Sequence, residues 1–370
     1  MRVALFDDRP HGIYGAKLTS LALLDGLREA GNDAVVISVD DGPFLQRAEA
    51  IGFETSIVRQ PPSLRRYDRT ILHDGVIGKL RSAAAALATN WRVARRCREL
   101  EVDAVLANSI RSVLLLGATN RIVAPVIWYV QIQQDFGRLS RLAARCATRR
   151  VGLSEAVAST SAGLDDVVPI GLELDPFTTL DRAGAEPDLV LSVGGFFPRK
   201  GLVDNVHAVA AAQRILERRL RLRIVGGVNT PDEREERERV AAAAALDEVD
   251  VEFAGWTDDV AAELERAAVV VHLAHAEGTP RALIEGSAAA IPIIASDVGA
   301  TASVVTDAVT GFVVEPGDHV AAGDRIARLL ADPELAAKMG VEGRTHVAEH
   351  FASAAMIDAF VGILDTVRRN

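Results

Sequence analysis

The chain is short of cysteine: only Cys97 and Cys146 occur in 370 residues. Two thiols this far apart exclude a disulfide framework and a cysteine-ligated zinc site. Aromatic side chains are also scarce, at 5%. Alanine and arginine are abundant, and the alanine runs at 83–86, 241–245 and 288–290 read as helix-forming segments, not as disorder. No apolar run approaches the roughly 18–20 residues needed to span a bilayer. The N-terminus opens directly into Arg2-Val-Ala-Leu-Phe6 and then Asp7-Asp8, too short and too acidic for a signal peptide. These absences lead to the expectation of a cytoplasmic protein. At 49% hydrophobic and 25% charged, the chain is long enough for two cores.

The formal charge of −10 is unevenly spread. Residues 1–175 hold 22 Lys+Arg against 20 Asp+Glu, and the remainder holds 19 against 31. Within the first half, residues 59–98 carry Arg59, Arg65, Arg66, Arg69, Lys79, Arg81, Arg92, Arg95, Arg96 and Arg98 against Asp68 and Asp74. A second cluster follows at Arg138, Arg141, Arg145, Arg149 and Arg150. Such patches attract anionic surfaces and are screened by salt. An anionic membrane surface met through residues 59–98 and 138–150 is the expected partner, with nucleic acid set aside. A solvated face of an arginine-rich protein fits the same charges.

The hydrophobic pattern is that of two successive α/β units. In the first, Val3–Phe6, Ala34–Val39, Ala104–Ala107, Val126–Val130 and Arg150–Leu153 read as buried parallel strands separated by helical patterns. A helix over Leu18–Ala30 buries Leu21, Leu24 and Leu27 and stops at Gly31. Another spans roughly Leu80–Leu100, with the stripe Leu80, Ala84, Leu87, Trp91 and Ala94 expected to face inward. The polar, Pro- and Gly-containing stretch from Asp175-Pro176 to Pro187-Asp188 reads as the connector. Beyond it, strands at Leu189–Val193, Leu222–Val225, Val251–Ala254, Val269–Leu273, Pro292–Ala295 and Phe312–Val314 alternate with helices. This alternation argues for doubly wound sheets, which bind ligands at the carboxyl ends of their strands.

Several turns carry chemistry. In Glu277-Gly-Thr-Pro-Arg-Ala-Leu-Ile-Glu285, Thr279 is expected to cap a helix whose first residue is Pro280. The amides of Arg281, Ala282 and Leu283 then head the positive end of that helix, a ready phosphate site. Glu277 and Glu285 bracket it, and burying two carboxylates is costly unless they have partners. In Ser192-Val-Gly-Gly-Phe-Phe-Pro-Arg-Lys200-Gly201, two glycines lead to Arg199 and Lys200, cations suited to a pyrophosphate. Gly12-Ile-Tyr-Gly15-Ala-Lys17 is a glycine turn where backbone can approach a ligand. Trp256, after a strand, offers a flat ring to a nucleobase and equally fits simple packing. His272 and His275 flank a strand end, where a structural role is the default.

The combination of 192–201, 277–285, Ala-Ser-Asp-Val-Gly at 295–299 and Val-Thr-Gly-Phe-Val-Val-Glu-Pro-Gly-Asp at 309–318 resembles retaining nucleotide-sugar glycosyltransferases of family 4. Gly152-Leu-Ser-Glu-Ala-Val157 and Val168–Phe177 match the end of that family's N-terminal domain. The resemblance implies a GT-B fold: two Rossmann-like doubly wound domains facing a central cleft, with a C-terminal helix crossing back to the N-terminal domain. By this likeness residues 1–175 form the acceptor-binding domain, 176–351 the nucleotide-sugar-binding domain, and 352–370 the returning helix. It implies that Glu285 holds the donor ribose, Glu277 a sugar hydroxyl, and Lys200 the diphosphate, with help from Arg199, Gly278, Thr279, Pro280 and the 281–283 helix start. Gly15 lets the first loop approach the phosphates.

Two positions depart from the family. Gly195 stands where an arginine is usual, and Gln131 stands at a strand end where histidine is frequent. A glutamine can hydrogen-bond a sugar but cannot shuttle a proton. The implied reaction moves a sugar from a UDP- or GDP-sugar to a hydroxyl acceptor with retention, in cell-envelope polysaccharide or glycolipid synthesis. Glu277, Lys200 and Gln131 are its expected catalytic groups. No cofactor is expected beyond the nucleotide-sugar co-substrate, and the absence of any Asp-x-Asp argues against a bridging metal. The alternatives are a transferase for small molecules and a catalytically silent nucleotide-sugar binder.

Overall fold

A computed structural model describes residues 1–9, 15–64, 76–131, 137–154, 157 and 163–368. The chain divides into two compact units: Met1–Gly171 with Ser353–Asn370, and Leu172–Ala352.

The first unit is built on a parallel sheet of β1 (Arg2–Asp7), β2 (Asp33–Ser38), β3 (Glu54–Ile57), β4 (Ala104–Ala107), β5 (Val126–Val130), β6 (Arg149–Gly152) and β7 (Asp166–Val167). Their order is β3-β2-β1-β4-β5-β6-β7. Strands covered on both faces must be apolar throughout, and Val3, Ala4, Leu5 and Phe6 are accordingly buried. The helices are α1 (Gly15–Glu29), α2 (Pro43–Ala50), α3 (Val76–Glu99), α4 (Ile110–Leu115), α5 (Gly117–Ile122) and α6 (Arg138–Ala144). Leu21, Leu24 and Leu27 of α1 are buried as the periodicity requires, and the chain leaves that helix through Gly31 at φ 88°. The C-terminal helix Ser353–Arg368 belongs to this unit: Met356, Phe360, Ile363 and Leu364 enter its core. Phe360 meets the Tyr129 ring edge-on, with centroids 5.0 Å apart.

The long helix α3 turns the other way from the expectation. Leu80, Leu87 and Trp91 are 66%, 64% and 61% exposed, while Thr89, Val93, Ala94 and Cys97 are buried. The reason is a polar clamp on the buried side of the helix. Asn90 donates to the Leu114 carbonyl at 2.9 Å and accepts from the Ala118 amide at 2.7 Å, so its side of the helix must face α4 and α5. Of the expected stripe, Ala94 alone is buried.

The second unit is a parallel sheet of β8 (Leu189–Val193), β9 (Arg221–Val225), β10 (Asp250–Gly255), β11 (Val269–His272), β12 (Ile293–Ser296) and β13 (Gly311–Val314). The order β10-β9-β8-β11-β12-β13 reverses between β8 and β11, and that reversal opens a crevice at the carboxyl ends of those two strands. The stretch expected as the connector lies within this unit, which begins at Leu172. Leu172 donates its amide to the Phe351 carbonyl at 2.8 Å, Arg182 donates to the Ala290 carbonyl at 2.8 Å, and Glu186 pairs with Arg221 and Arg266. Glu186 and Asp188 serve ion pairs within the unit.

Candidate functional site

Strand reversal at β8 and β11 decides which loops meet. After β8 the chain runs through Gly194-Gly195 into a short 3₁₀ turn, Pro198–Lys200, and the helix Leu202–Leu216. After β11 it runs through His275 and Glu277 to the helix Arg281–Ala288. The two loops are stitched by backbone: the Arg199 carbonyl accepts from the His275 amide at 2.8 Å. Asn205 braces them from below, donating to Ser192 Oγ at 2.9 Å and accepting from the Leu273 amide at 3.1 Å. Gly201 sits in left-handed backbone at φ 61°, and a side chain there would overlap the Leu273 carbonyl. Gly299, at φ 58°, likewise lies against the carbonyls of Glu277 and Gly278. Glycine is needed at both for conformation and for space.

This scaffold brings Lys200, Arg199, Glu277 and His272 together. The Glu277 carboxylate is 8% exposed and accepts from the Lys200 ammonium. His272 Nε2 lies 3.1 Å from Glu277 Oε1, and Arg199 Nη1 lies 3.6 Å from Oε2. Burial alone raises the Glu277 pKa. The hydrogen bond from His272 and the Lys200 charge outweigh it and hold the carboxyl well below the usual carboxylate range. Burial lowers the His272 pKa, which favours the neutral imidazole, and toward an ionised carboxylate the ring nitrogen Nε2 acts as the donor. The result is a carboxylate fixed in direction by a neutral donor and two cations. A strand-end histidine has a structural role by default; the signal for more is its place five residues before a motif glutamate.

The helix start differs from the expectation. Pro280, at ψ 107°, is the non-helical cap position, and Arg281 is the first helical residue. Thr279 is therefore one residue too early to cap, and its buried Oγ1 has no hydrogen-bond partner among the described residues. The Leu283 amide is not free, because it donates to the Pro280 carbonyl at 3.1 Å. Gly278 is buried, and its carbonyl accepts from the Ala300 amide at 2.8 Å. Within the helix, Glu285 is buried and accepts from Arg281 Nη2 at 3.0 Å. Ala282 and Leu283 pack into the unit.

Gly195 and Trp256 lie along the same sheet edge. A Cβ built on Gly195 would come 2.9 Å from the Phe197 ring, over which the Arg199 guanidinium sits 5.4 Å from the centroid. Phe197 thus occupies the space into which an arginine at 195 would start. Gly226, after β9, is pressed against the Gly194 carbonyl, and Gly227 abuts Trp256, whose ring is 47% exposed. Lys200, Gly194, Gly226, Gly227 and Trp256 therefore follow one another in strand order.

The remaining expected residues lie in the first unit. Gly15 opens α1, whereas the rest of its turn, from Gly12 to Tyr14, lies outside the described residues, as do residues 132–136, Glu155 and Ala156. Gln131 follows β5, is 5% exposed, donates to Ser20 Oγ at 3.0 Å, and its Oε1 has no hydrogen-bond partner among the described residues. Nearby at the β1 end, Lys17 donates to Asp7 at 3.2 Å. Burial pushes the Asp7 carboxyl up to about 6 and lowers the Lys17 pKa. Among the described residues no cluster of three His, Cys, Asp or Glu side chains is placed to hold a metal.

Residues 181–346 match the family model of glycosyl transferases group 1. The fold is similar to the crystal structure of HepE from Anabaena in complex with UDP-glucose, with TM-score 0.81 at 17% identity over 99% of this chain and 100% of that one. The fold is GT-B. Among curated relatives, N-acetyl-α-D-glucosaminyl L-malate synthase of Bacillus anthracis is 32% identical over 118 residues, 32% of this chain and 31% of that protein. The capsular polysaccharide biosynthesis glycosyltransferase CapM of Staphylococcus aureus is 32% identical over 98 residues, 26% of each. These stretches span about a third or less of the two relatives' own lengths. The site built from β8 and β11 falls inside the group 1 region.

Proposed function

We propose that this protein is a retaining, metal-independent glycosyltransferase of family 4 that takes its sugar from a nucleoside-diphosphate donor. The observation that carries the reading is the Glu277 carboxylate held by Lys200, Arg199 and His272 at the β8/β11 switch point. Cleaving the sugar–phosphate bond places negative charge on the departing diphosphate. Lys200, Arg199 and the Arg281–Ala288 helix start supply the opposing charge, worth several kcal/mol where water is excluded. Glu277 accepts a hydroxyl of the donor sugar, and Glu285 the ribose hydroxyls. The C1–phosphate bond breaks, the acceptor oxygen bonds C1 on the same face, and its proton passes to the leaving phosphate oxygen. Trp256 offers its ring to the base.

HepE was solved with UDP-glucose, so UDP-sugars are the first donors to test, with GDP-sugars second. The CapM relative supports an envelope polysaccharide or glycolipid acceptor, and the malate synthase relative supports a small hydroxyl acid as the alternative. A thermal-shift screen with UDP-, GDP-, ADP- and TDP-sugars is expected to give one donor that raises the melting midpoint by mass action. Turnover of that donor, followed with EDTA present, is expected to persist, and the anomer formed is that of the donor. A protein that no nucleotide sugar stabilises, or one that EDTA silences, contradicts the proposal.

A further inference from the structure

We infer that the outer faces of α3 and α6 form a docking surface for an anionic lipid bilayer. The apolar part is the stripe that the fold leaves uncovered. Spacings of seven and four residues put Leu80, Leu87 and Trp91 on one line of α3, each more than half exposed. On α6, Leu139 and Leu142 are 42% and 50% exposed, while Ser140 and Ala143 face inward. The helix α4 packs against both α3 and α6, so the two patches flank one element of the same unit.

The charge chooses the partner. Arg81, Arg92 and Arg95 are exposed on α3, and Arg138, Arg141 and Arg145 on α6. The carboxylate on this part of α3, Glu99, is held by Arg95 and Arg96 at 2.8 and 3.2 Å. The last two arginines of the second cluster play no part: Arg149 and Arg150 pair with Asp166 and Asp165, each at 2.7 Å. Arg65, Arg66 and Arg69 lie outside the described residues. A face of leucine and tryptophan rimmed by arginine suits the headgroup–acyl boundary, where tryptophan seats and each cation facing anionic lipid adds about fivefold in binding. No described helix is long and apolar enough to cross a membrane, so the contact lies along the surface.

The test is co-sedimentation of the full chain with phosphatidylglycerol-containing and pure phosphatidylcholine vesicles. Binding to the anionic vesicles alone, falling as salt rises, is expected. The double variant Trp91→Glu/Leu142→Glu, at exposed positions that leave the melting midpoint unchanged, is expected to bind at least about tenfold more weakly. In a Trp256→Phe background, Trp91 emission shifts to the blue on anionic vesicles, because Trp128 is already buried. Absence of vesicle binding, or binding indifferent to headgroup charge, overturns the inference. So does a dimer in sedimentation that Trp91→Glu abolishes, which assigns this face to a second copy of the chain. None of these readouts depends on sugar transfer.

Discussion

Lys200→Ala lowers turnover by about 10²–10³-fold, the effect of removing one preorganised charge from a transition state. The loss falls mainly on kcat, because the ammonium opposes charge that grows as the sugar–phosphate bond breaks. The structure makes this a test of chemistry and not of folding. Lys200 is 16% exposed and leaves Glu277 with His272 at 3.1 Å and Arg199 at 3.6 Å, so the carboxylate keeps two partners. Lys200→Arg is expected to restore part of the rate, since the charge returns on a different geometry. Steady-state kinetics with the donor found by thermal shift reads both variants. A Lys200→Ala enzyme within threefold of the parent contradicts the phosphate role.

Glu285→Ala weakens donor binding by at least about 100-fold, the scale of a charge-assisted hydrogen-bond pair to a ribose. The carboxylate lies in a helix that packs Leu283 and Ile284 against the sheet, and its protein partner is Arg281 of the same helix. Deleting it removes the carboxylate proposed for the ribose and leaves Lys200 and Arg199, which lie outside this helix, in place. Inorganic phosphate therefore binds the variant no worse than the parent, while nucleotide affinity collapses. Titration calorimetry with the nucleotide and with phosphate separates the two effects. Equal nucleotide affinity in parent and variant removes Glu285 from the donor site.

The doubly wound architecture was legible because buried parallel strands are written as short apolar runs, and Leu189–Val193, Ala104–Ala107 and Val126–Val130 fall where those runs stand. Glu54–Ile57 and Asp166–Val167 were not legible. They are outer strands of two to four residues, half polar, and gain their structure from a neighbour already in place. The orientation of α3 was hidden for a related reason: periodicity shows a stripe but not which stripe a neighbour can approach. Asn90 decided it. At the candidate site, the motifs pointed to Lys200 and Glu277, and the fold brings those two together. The geometry of the Pro280 turn was hidden, because Thr-Pro fits two cap assignments one residue apart. His272 needed the fold, since only the β11 turn brings it back on Glu277.

The central claim is that a nucleotide diphosphate is held at the β8/β11 switch point of the second unit. A crystal structure of the protein soaked with UDP tests it most directly. The β-phosphate is expected within hydrogen-bond distance of Lys200 Nζ and of the first turn of the Arg281–Ala288 helix, with Glu285 on the ribose. A nucleotide seated elsewhere, for example against Lys17 and Gln131 in the first unit, with the Lys200–Glu277 pair untouched, contradicts it.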